Sequence, residues 1–468
     1  MLAFYPKQFA RKSIGIYVLA LMIVSIVFMD YAMKGMFMAV GFVLVGVFFY
    51  GSHVFTVSWN SISEKRFVKN LFWTALALRV AWVVASYYFF IGQTGQPFEW
   101  DTADAKGYHD EAVWLNGLSW YRVFDYLFYS RSGYSDSGYS LYLTCLYKLV
   151  GSSVVMPRLI KALLSTGTCL LIYRLTRRTF GIPTARMAAI CCMLMPNLIY
   201  YCGLHLKETE MTFLIVLFLE RADFVLRSEK IKFWNILLPI LIAGSLFLFR
   251  TVVGVVALFS FMTALAFGYN RMVKKGRRVV LALWVVIGVS ILAGGTVINE
   301  VEEVWLNRHT NQEYKRMEQT SRGNQWAQYA TGVVMAPMAF VVPFATMVDV
   351  DEQYAQQLIH GGAFVKNIMG IFVLLAFYYA LKGKKWRDFS LLGAFVIAYL
   401  AIISFSGFAN SERFHFPALP VIIIMWAYGL SQLNAKNYRW VNAWYFVVLL
   451  MEFGWAFFKL GSRGFVSF

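Results

Sequence analysis

Long apolar runs separated by short polar loops recur along almost the whole chain. A helix needs about 20 apolar residues to cross a bilayer, so the pattern predicts an all-α, polytopic transmembrane helical bundle of about 13 spans. No long polar or Pro/Ser-rich linker interrupts it, and one continuous bundle is expected. The predicted spans are 13–33, 35–56, 70–92, 153–175, 183–203, 208–226, 233–249, 251–269, 279–298, 365–382, 389–405, 416–432 and 440–459.

Two longer polar stretches divide this pattern into four regions. Residues 1–69 hold two additional N-terminal spans. Residues 70–300 form a transmembrane core that includes an acidic outer loop at 93–152. Residues 301–364 are a second outer loop, where Pro337 and Pro343 argue against a regular span and favour an interfacial or re-entrant helix. Residues 365–468 hold the C-terminal spans.

Composition supports the membrane class, because 59% of the residues are hydrophobic and only 15% are charged. The net charge of +18 would suggest nucleic acid in a soluble protein. Here the basic residues cluster in short loops, so membrane topology and anionic lipid explain them, and no nucleic-acid partner is expected. The five cysteines show no ligand-like spacing and predict neither a disulfide framework nor a zinc site.

The basic loops alternate along the chain and should share the cytoplasmic side. The segments at 93–152, 299–364 and 406–415 then face the opposite side. Orientation rests on the following basic residues: Lys65, Arg66, Lys69, Arg174, Arg177, Arg178, Arg186, Arg227, Lys230, Lys232, Arg271, Lys274, Lys275, Arg277, Arg278, Lys382, Lys384, Lys385, Arg387, Lys436 and Arg439.

Residues 99–112 place five carboxylates in one polar break between apolar runs. A carboxylate at a membrane face can take a proton from a hydroxyl while a lipid-borne substrate is held beside it. On a helix, Asp104, Tyr108 and Glu111 would share a face, at positions i, i+4 and i+7. The first outer loop is therefore the predicted active site.

A series of motifs extends from this loop along most of the chain. The motifs are Asp104-x-x-x-Tyr108-His109-x-x-Ala112, Gly138-Tyr139, Arg158, Tyr173-Arg174 to Gly181, Pro196 to Gly203, Leu206-Lys207-Glu208, Arg250 and Arg413-Phe-His415-Phe-Pro417. Together they are similar to the polyprenyl-phosphate-sugar-dependent glycosyltransferases of the GT-C fold, in particular the dolichyl-phosphate-mannose protein mannosyltransferase and aminoarabinose transferase superfamily. The two spans before residue 70 depart from the usual start of that family.

The resemblance implies transfer of a sugar from a polyprenyl-phosphate carrier to a hydroxyl of a glycan, lipid or protein, with inversion. It places the enzyme in the bacterial cytoplasmic (inner) membrane, with its site facing the periplasm or exterior. It requires no certain cofactor and leaves a divalent metal open. The implied catalytic residues are Asp104 and Glu208, the donor phosphate-binding residues are Lys207, Arg250 and Arg413, and the substrate-binding residues are Tyr108, His109, Glu111, His205 and His415.

Other interpretations remain open. Asp104 could simply offset a helix dipole, and Arg250 and Arg413 could snorkel to the interface. A lipid-linked polysaccharide polymerase or ligase, or a lipid-sugar flippase or transporter, would share the basic, helical and lipid-binding character. Arg79 and Glu452 lie inside predicted spans, where charge is expensive, so partners within the bundle are expected although the sequence does not name them.

Overall fold

The computed structural model describes residues 2–100, 103–130, 136–228, 233–267, 338–350, 353–383, 385–405 and 411–461. Within these ranges the chain is all α-helical, and the only β contact is an isolated bridge between Ala32 and Val348. Eight of the described helices are long and apolar enough to cross a membrane, or nine if one bent pair counts as a span. The protein is therefore a multi-pass membrane protein, as the hydrophobic pattern predicts.

The helices follow the apolar runs closely. Numbered in chain order, they are α1 (Lys7–Val27), α2 (Gly35–Ser58), α3 (Glu64–Thr94), α4 (Ala103–Asn116), α5 (Trp120–Asp125), α6 (Ser137–Val150), α7 (Val155–Phe180), α8 (Ile182–Leu194), α9 (Pro196–Tyr200), α10 (Glu208–Arg227), α11 (Phe233–Phe249), α12 (Thr251–Phe267), α13 (Tyr354–Lys382), α14 (Trp386–Phe405), α15 (Glu412–His415), α16 (Leu419–Ser431) and α17 (Tyr438–Gly461).

The predicted number of 13 spans is not confirmed. Every predicted span except 279–298, which lies outside the described residues, overlaps a helix. Within the described residues α11 and α12 have 17 residues each, and each borders a range that is not described. The helix α10 carries charged residues at both ends, including Glu208, Glu210 and Asp223, and is not among the helices that are apolar enough to cross.

The two outer segments differ in form. In the first, α4 packs on α6 through a buried face of Ala105, Tyr108, Ala112 and Leu115. In the second, residues 338–350 form a buried, largely non-helical run, and α13 begins at Tyr354 rather than at residue 365. Residues 354–364 of the predicted second outer loop therefore belong to α13, whereas 301–337 and 351–352 lie outside the described residues. The interfacial or re-entrant helix stays a prediction.

A sharp break between α8 and α9 redirects the chain before α10. The two helical pieces are bent by 52° at Pro196, which lacks a backbone N–H. The fully buried Arg79 of α3 donates to the carbonyl oxygens of Cys192 and Met193, each at 3.2 Å, and to Ser165 Oγ at 2.7 Å. Arg79 therefore satisfies the carbonyl groups that the break releases.

The partner expected for Arg79 is thus backbone rather than an acid. No acidic side chain pairs with it among the described residues. Glu452 of α17 is also buried, beside the backbone of Ala345, and it has no cationic partner within the same ranges. The two intramembrane charges predicted from sequence do not pair with each other.

We expect Arg79→Met to destabilise the protein strongly. The change leaves two buried carbonyl groups without a donor, and each such loss costs about 1–3 kcal/mol. Thermal unfolding in detergent measures the effect. Arg66→Met is the matched control, because Arg66 lies on the same helix and is exposed. Equal unfolding temperatures for the two variants would contradict this role of Arg79.

Candidate active site

One guanidinium group joins the acidic outer loop to the transmembrane core. Arg413 Nη1 contacts Asp104 Oδ2, and Arg413 Nε contacts Glu208 Oε1. The Glu208 side chain is fully buried, Arg413 is 21% exposed, and Asp104 is 58% exposed. The three groups therefore form a charged column that leads from the surface into the bundle.

Three separate parts of the chain supply this column. Asp104 lies in the first turn of α4, where a carboxylate also complements the helix dipole. Glu208 begins α10, and Arg413 lies in the short helix α15. The three residues are far apart in sequence, so only the packing of α4, α10 and α15 brings them together.

Two further cations lie beside Glu208. Arg250, between α11 and α12, places Nη2 at 3.8 Å from Glu208 Oε1, and its guanidinium stacks over the Phe414 ring at 4.5 Å. Lys207 contacts Asp136 and donates to the carbonyl of Phe249 at 2.9 Å. Burial, reinforced by the charge of Arg250, holds the pKa of Lys207 well below its usual range.

Glu412, the residue before Arg413, accepts a hydrogen bond on each of its two carboxylate oxygens. Glu412 Oε1 accepts from Asn197 Nδ2 at 2.7 Å, and Glu412 Oε2 accepts from Lys366 Nζ at 2.8 Å. Lys366 is buried and also donates to the carbonyl of Val342 at 2.9 Å. Arg413 is thus held by helix α9, helix α13 and the 338–350 segment.

A hydrogen-bonded row lies next to the column. His109 Nδ1 lies 2.7 Å from the Tyr147 hydroxyl, which lies 3.2 Å from His205 Nε2. Burial lowers the pKa of both histidines, most strongly for His205, where Lys161 and Arg158 add to the effect. These histidines are therefore neutral near pH 7 and can serve as hydrogen-bond donors or acceptors.

The other predicted substrate-binding residues occupy different places. The Tyr108 ring packs edge-on against the Tyr139 ring, with 5.0 Å between the ring centroids. Burial raises the pKa of Tyr108 to about 12. Glu111 accepts from the Ser140 hydroxyl, so it faces α6. His415 is buried at the end of α15. Helical spacing placed Glu111 on one face with Asp104, and the structure shows that Asp104 contacts Arg413 whereas Glu111 contacts α6.

A second charged layer lies beside this site, and sequence reasoning missed its pair of Lys161 and Glu210. Lys161 lies 3.6 Å from Glu210 and donates to the carbonyl of Leu204 at 2.8 Å. Arg158 donates to the carbonyl of Pro97, and burial raises the pKa of the nearby Glu99. Lys161 and Glu210 lie inside predicted spans, so their intramembrane position was the signal that could have identified them.

The sequence leaves a divalent metal open, with Glu111, His205 and His415 as the residues that could bind one. In the parts of the chain that the structure describes, no group of three or more His, Cys, Asp or Glu side chains is arranged to hold a metal ion. His205 lies beside the Tyr147 hydroxyl, and Glu111 accepts from Ser140.

We expect acid to destabilise the protein through His205. Its pKa is lowered in the folded state, so below pH 6.5 the unfolded chain binds more protons, and stability falls as the pH drops. Thermal unfolding in detergent at pH 7.5 and at pH 5.5 measures this loss of stability. His205→Gln should show a smaller decrease over that range. An unchanged decrease would contradict the assignment.

Comparisons with known proteins give matches among solved structures only. No family model matches the chain, and no curated protein sequence matches it. Among solved structures, the chain is similar to the archaeal oligosaccharyltransferase AglB from Archaeoglobus fulgidus, in complex with an inhibitory peptide and a dolichol-phosphate. The TM-score is 0.44 at 13% identity, and the match covers 86% of this chain but only 56% of that chain. The chain therefore matches just over half the length of that chain.

Proposed function

We propose that the protein is an integral membrane glycosyltransferase of the GT-C type. It transfers a sugar from a polyprenyl-phosphate carrier to a hydroxyl of a glycan, lipid or protein acceptor. The proposed location is the bacterial cytoplasmic (inner) membrane, with the site on the periplasmic or exterior face. The observation that supports this function best is the contact of Arg413 with both Asp104 and Glu208.

In this contact a donor phosphate could replace the Asp104 carboxylate on the guanidinium of Arg413. Guanidinium groups bind carboxylate and phosphate oxygens with the same planar geometry. A donor phosphate therefore competes with Asp104 for Arg413. Glu208 is fully buried and holds Arg413 and Arg250 from below, so it keeps both cations facing the phosphate. When the phosphate binds the Arg413 guanidinium, Asp104 loses that contact and becomes available as a base.

The bond changes follow from this arrangement. Asp104 removes the proton of the acceptor hydroxyl, and the acceptor oxygen forms a bond to the anomeric carbon of the sugar. The bond between that carbon and the phosphate oxygen breaks, and the polyprenyl phosphate leaves with the electron pair. Attack opposite the leaving group inverts the anomeric configuration. Arg413, Arg250 and Lys207 stabilise the charge that grows on the phosphate, so no general acid is needed.

We expect Asp104→Asn to lower turnover by about 10²- to 10⁴-fold, because loss of a general base has effects of that size. Binding of undecaprenyl phosphate should persist. The assay measures release of free polyprenyl phosphate from a panel of polyprenyl-phosphate-linked hexoses and pentoses, with cell-envelope extract as acceptor. Asp110→Asn is the matched control, since Asp110 is an exposed aspartate on the same helix.

The outcome also separates the rival classes. Full transfer activity in Asp104→Asn would overturn the catalytic assignment. A flippase or transporter would move lipid-linked sugar without releasing polyprenyl phosphate and would be indifferent to the change. A polymerase or ligase would instead release its carrier only when a glycan chain is extended or attached, and the size of the labelled product reveals this.

We expect Arg413→Gln and Arg250→Gln to weaken binding of undecaprenyl phosphate by about 10- to 100-fold, which corresponds to the loss of one or two charge-assisted hydrogen bonds. Native mass spectrometry of the detergent-solubilised protein measures this binding. Arg413→Lys keeps the charge and should retain part of the affinity. Arg122→Gln in the outer helix α5 is the control, because Arg122 is exposed. Unaltered binding in both Gln variants would refute the proposed phosphate site.

A further inference from the structure

A groove runs between the first and last described helices, away from the charged column. It has a volume of about 490 Å³, opens on its outer side, and is lined by Lys12, Gly15, Ile16, Leu19, Asn442, Tyr445, Phe446 and Leu449. The two helices pack together through Ser13 and Tyr445, whose hydroxyl oxygens lie 3.1 Å apart. Most of α1 and α17 remains unburied within the bundle, so both helices face the bilayer.

The groove is polar at one end and apolar at the other. Lys12 Nζ donates to Asn442 Oδ1 at 3.4 Å, which fixes the two helices side by side at this level. Leu19 and Leu449 each follow seven residues later on their helices, about 10 Å further along at 1.5 Å per residue. A ligand in the groove would therefore meet a cation and an amide first, and an apolar channel beyond them.

The polar end has a single sign of charge along both helices. Lys7 and Arg11 lie near Lys12 in sequence, and Lys436 and Arg439 lie just before and at the start of α17. No Asp or Glu occurs in 2–29 or in 413–451. Lys12 itself bonds Asn442 and lies over the Tyr438 ring at 5.1 Å, without an acidic partner among the described residues. This end therefore attracts anions.

We propose that this groove binds one anionic phospholipid of the surrounding membrane. The phosphate-containing headgroup lies at Lys12 and Asn442, and one acyl chain lies along Gly15, Leu19 and Leu449. A headgroup with net negative charge is favoured over a zwitterionic one, because basic residues near a membrane surface attract anionic lipid. The site is separate from the proposed active site and does not depend on the proposed function.

The glycine in the groove offers a sharp test. A Cβ at Gly15 meets no atom within 4 Å, so Gly15→Leu adds side-chain volume to the groove at a position whose first carbon enters open space. Gly46→Leu is the matched control, because a Cβ at Gly46 of α2 also meets no atom within 4 Å and Gly46 does not line the groove. Native mass spectrometry with phosphatidylglycerol and phosphatidylcholine of identical acyl chains measures lipid retention.

We expect the unaltered protein to retain phosphatidylglycerol in preference to phosphatidylcholine. Gly15→Leu should lower the apparent affinity for phosphatidylglycerol at least tenfold, whereas Gly46→Leu should not change it. Lys12→Gln should lower the preference for phosphatidylglycerol about fivefold, the share expected of one lysine, and leave phosphatidylcholine unaffected. Lys65→Gln, an exposed lysine at the start of α3, is the charge control.

Three results would overturn the proposal. The first is equal retention of the two lipids by the unaltered protein. The second is unchanged phosphatidylglycerol binding in Gly15→Leu, because the groove would then not be the site. The third is an equal effect of Lys12→Gln and Lys65→Gln, because general surface charge would then explain the preference.

Discussion

The burial of Glu208 is the constraint on which the rest of the site depends. A fully buried carboxylate loses its hydration, and this desolvation costs several kcal/mol unless cations compensate. Arg413 and Arg250 provide this compensation from α15 and from the junction of α11 and α12. The chain must therefore bring three distant regions to one point at the outer end of the bundle. Asp104 then completes the column at the surface.

Irregular backbone makes this convergence possible. The break at Pro196, stabilised by Arg79, is followed by the short segment that carries His205 and Lys207 into α10. The 338–350 segment plays a similar part. Lys366 donates to the Val342 carbonyl of this segment and also to Glu412, the residue before Arg413. Backbone that departs from a helix at membrane depth is tolerated where protein groups satisfy it. Here those same groups position the charged side chains.

The charged groups of the bundle fall into distinct sets with different neighbours. Lys161 and Glu210 form one buried pair, and Arg178 binds Glu220 and Asp223 at the far end of α10. These pairs fasten α7 to α10 along their length. The column at Asp104 differs, because its outermost carboxylate is more than half exposed. A group that is both paired and accessible can exchange its partner for a ligand, whereas a fully enclosed pair serves the packing.

The sequence by itself determined the membrane class, the all-α bundle and the position of most helices, because hydropathy over about 20 residues is a local property. It also identified Asp104, Glu208, Arg250 and Arg413 as candidates from their motifs. Only the tertiary structure decided that Arg413 touches both carboxylates, that Glu111 faces α6, and that Arg79 binds carbonyl groups instead of an acid. These outcomes depend on contacts between residues far apart in the chain, and helix periodicity carries no information about which distant helices pack together.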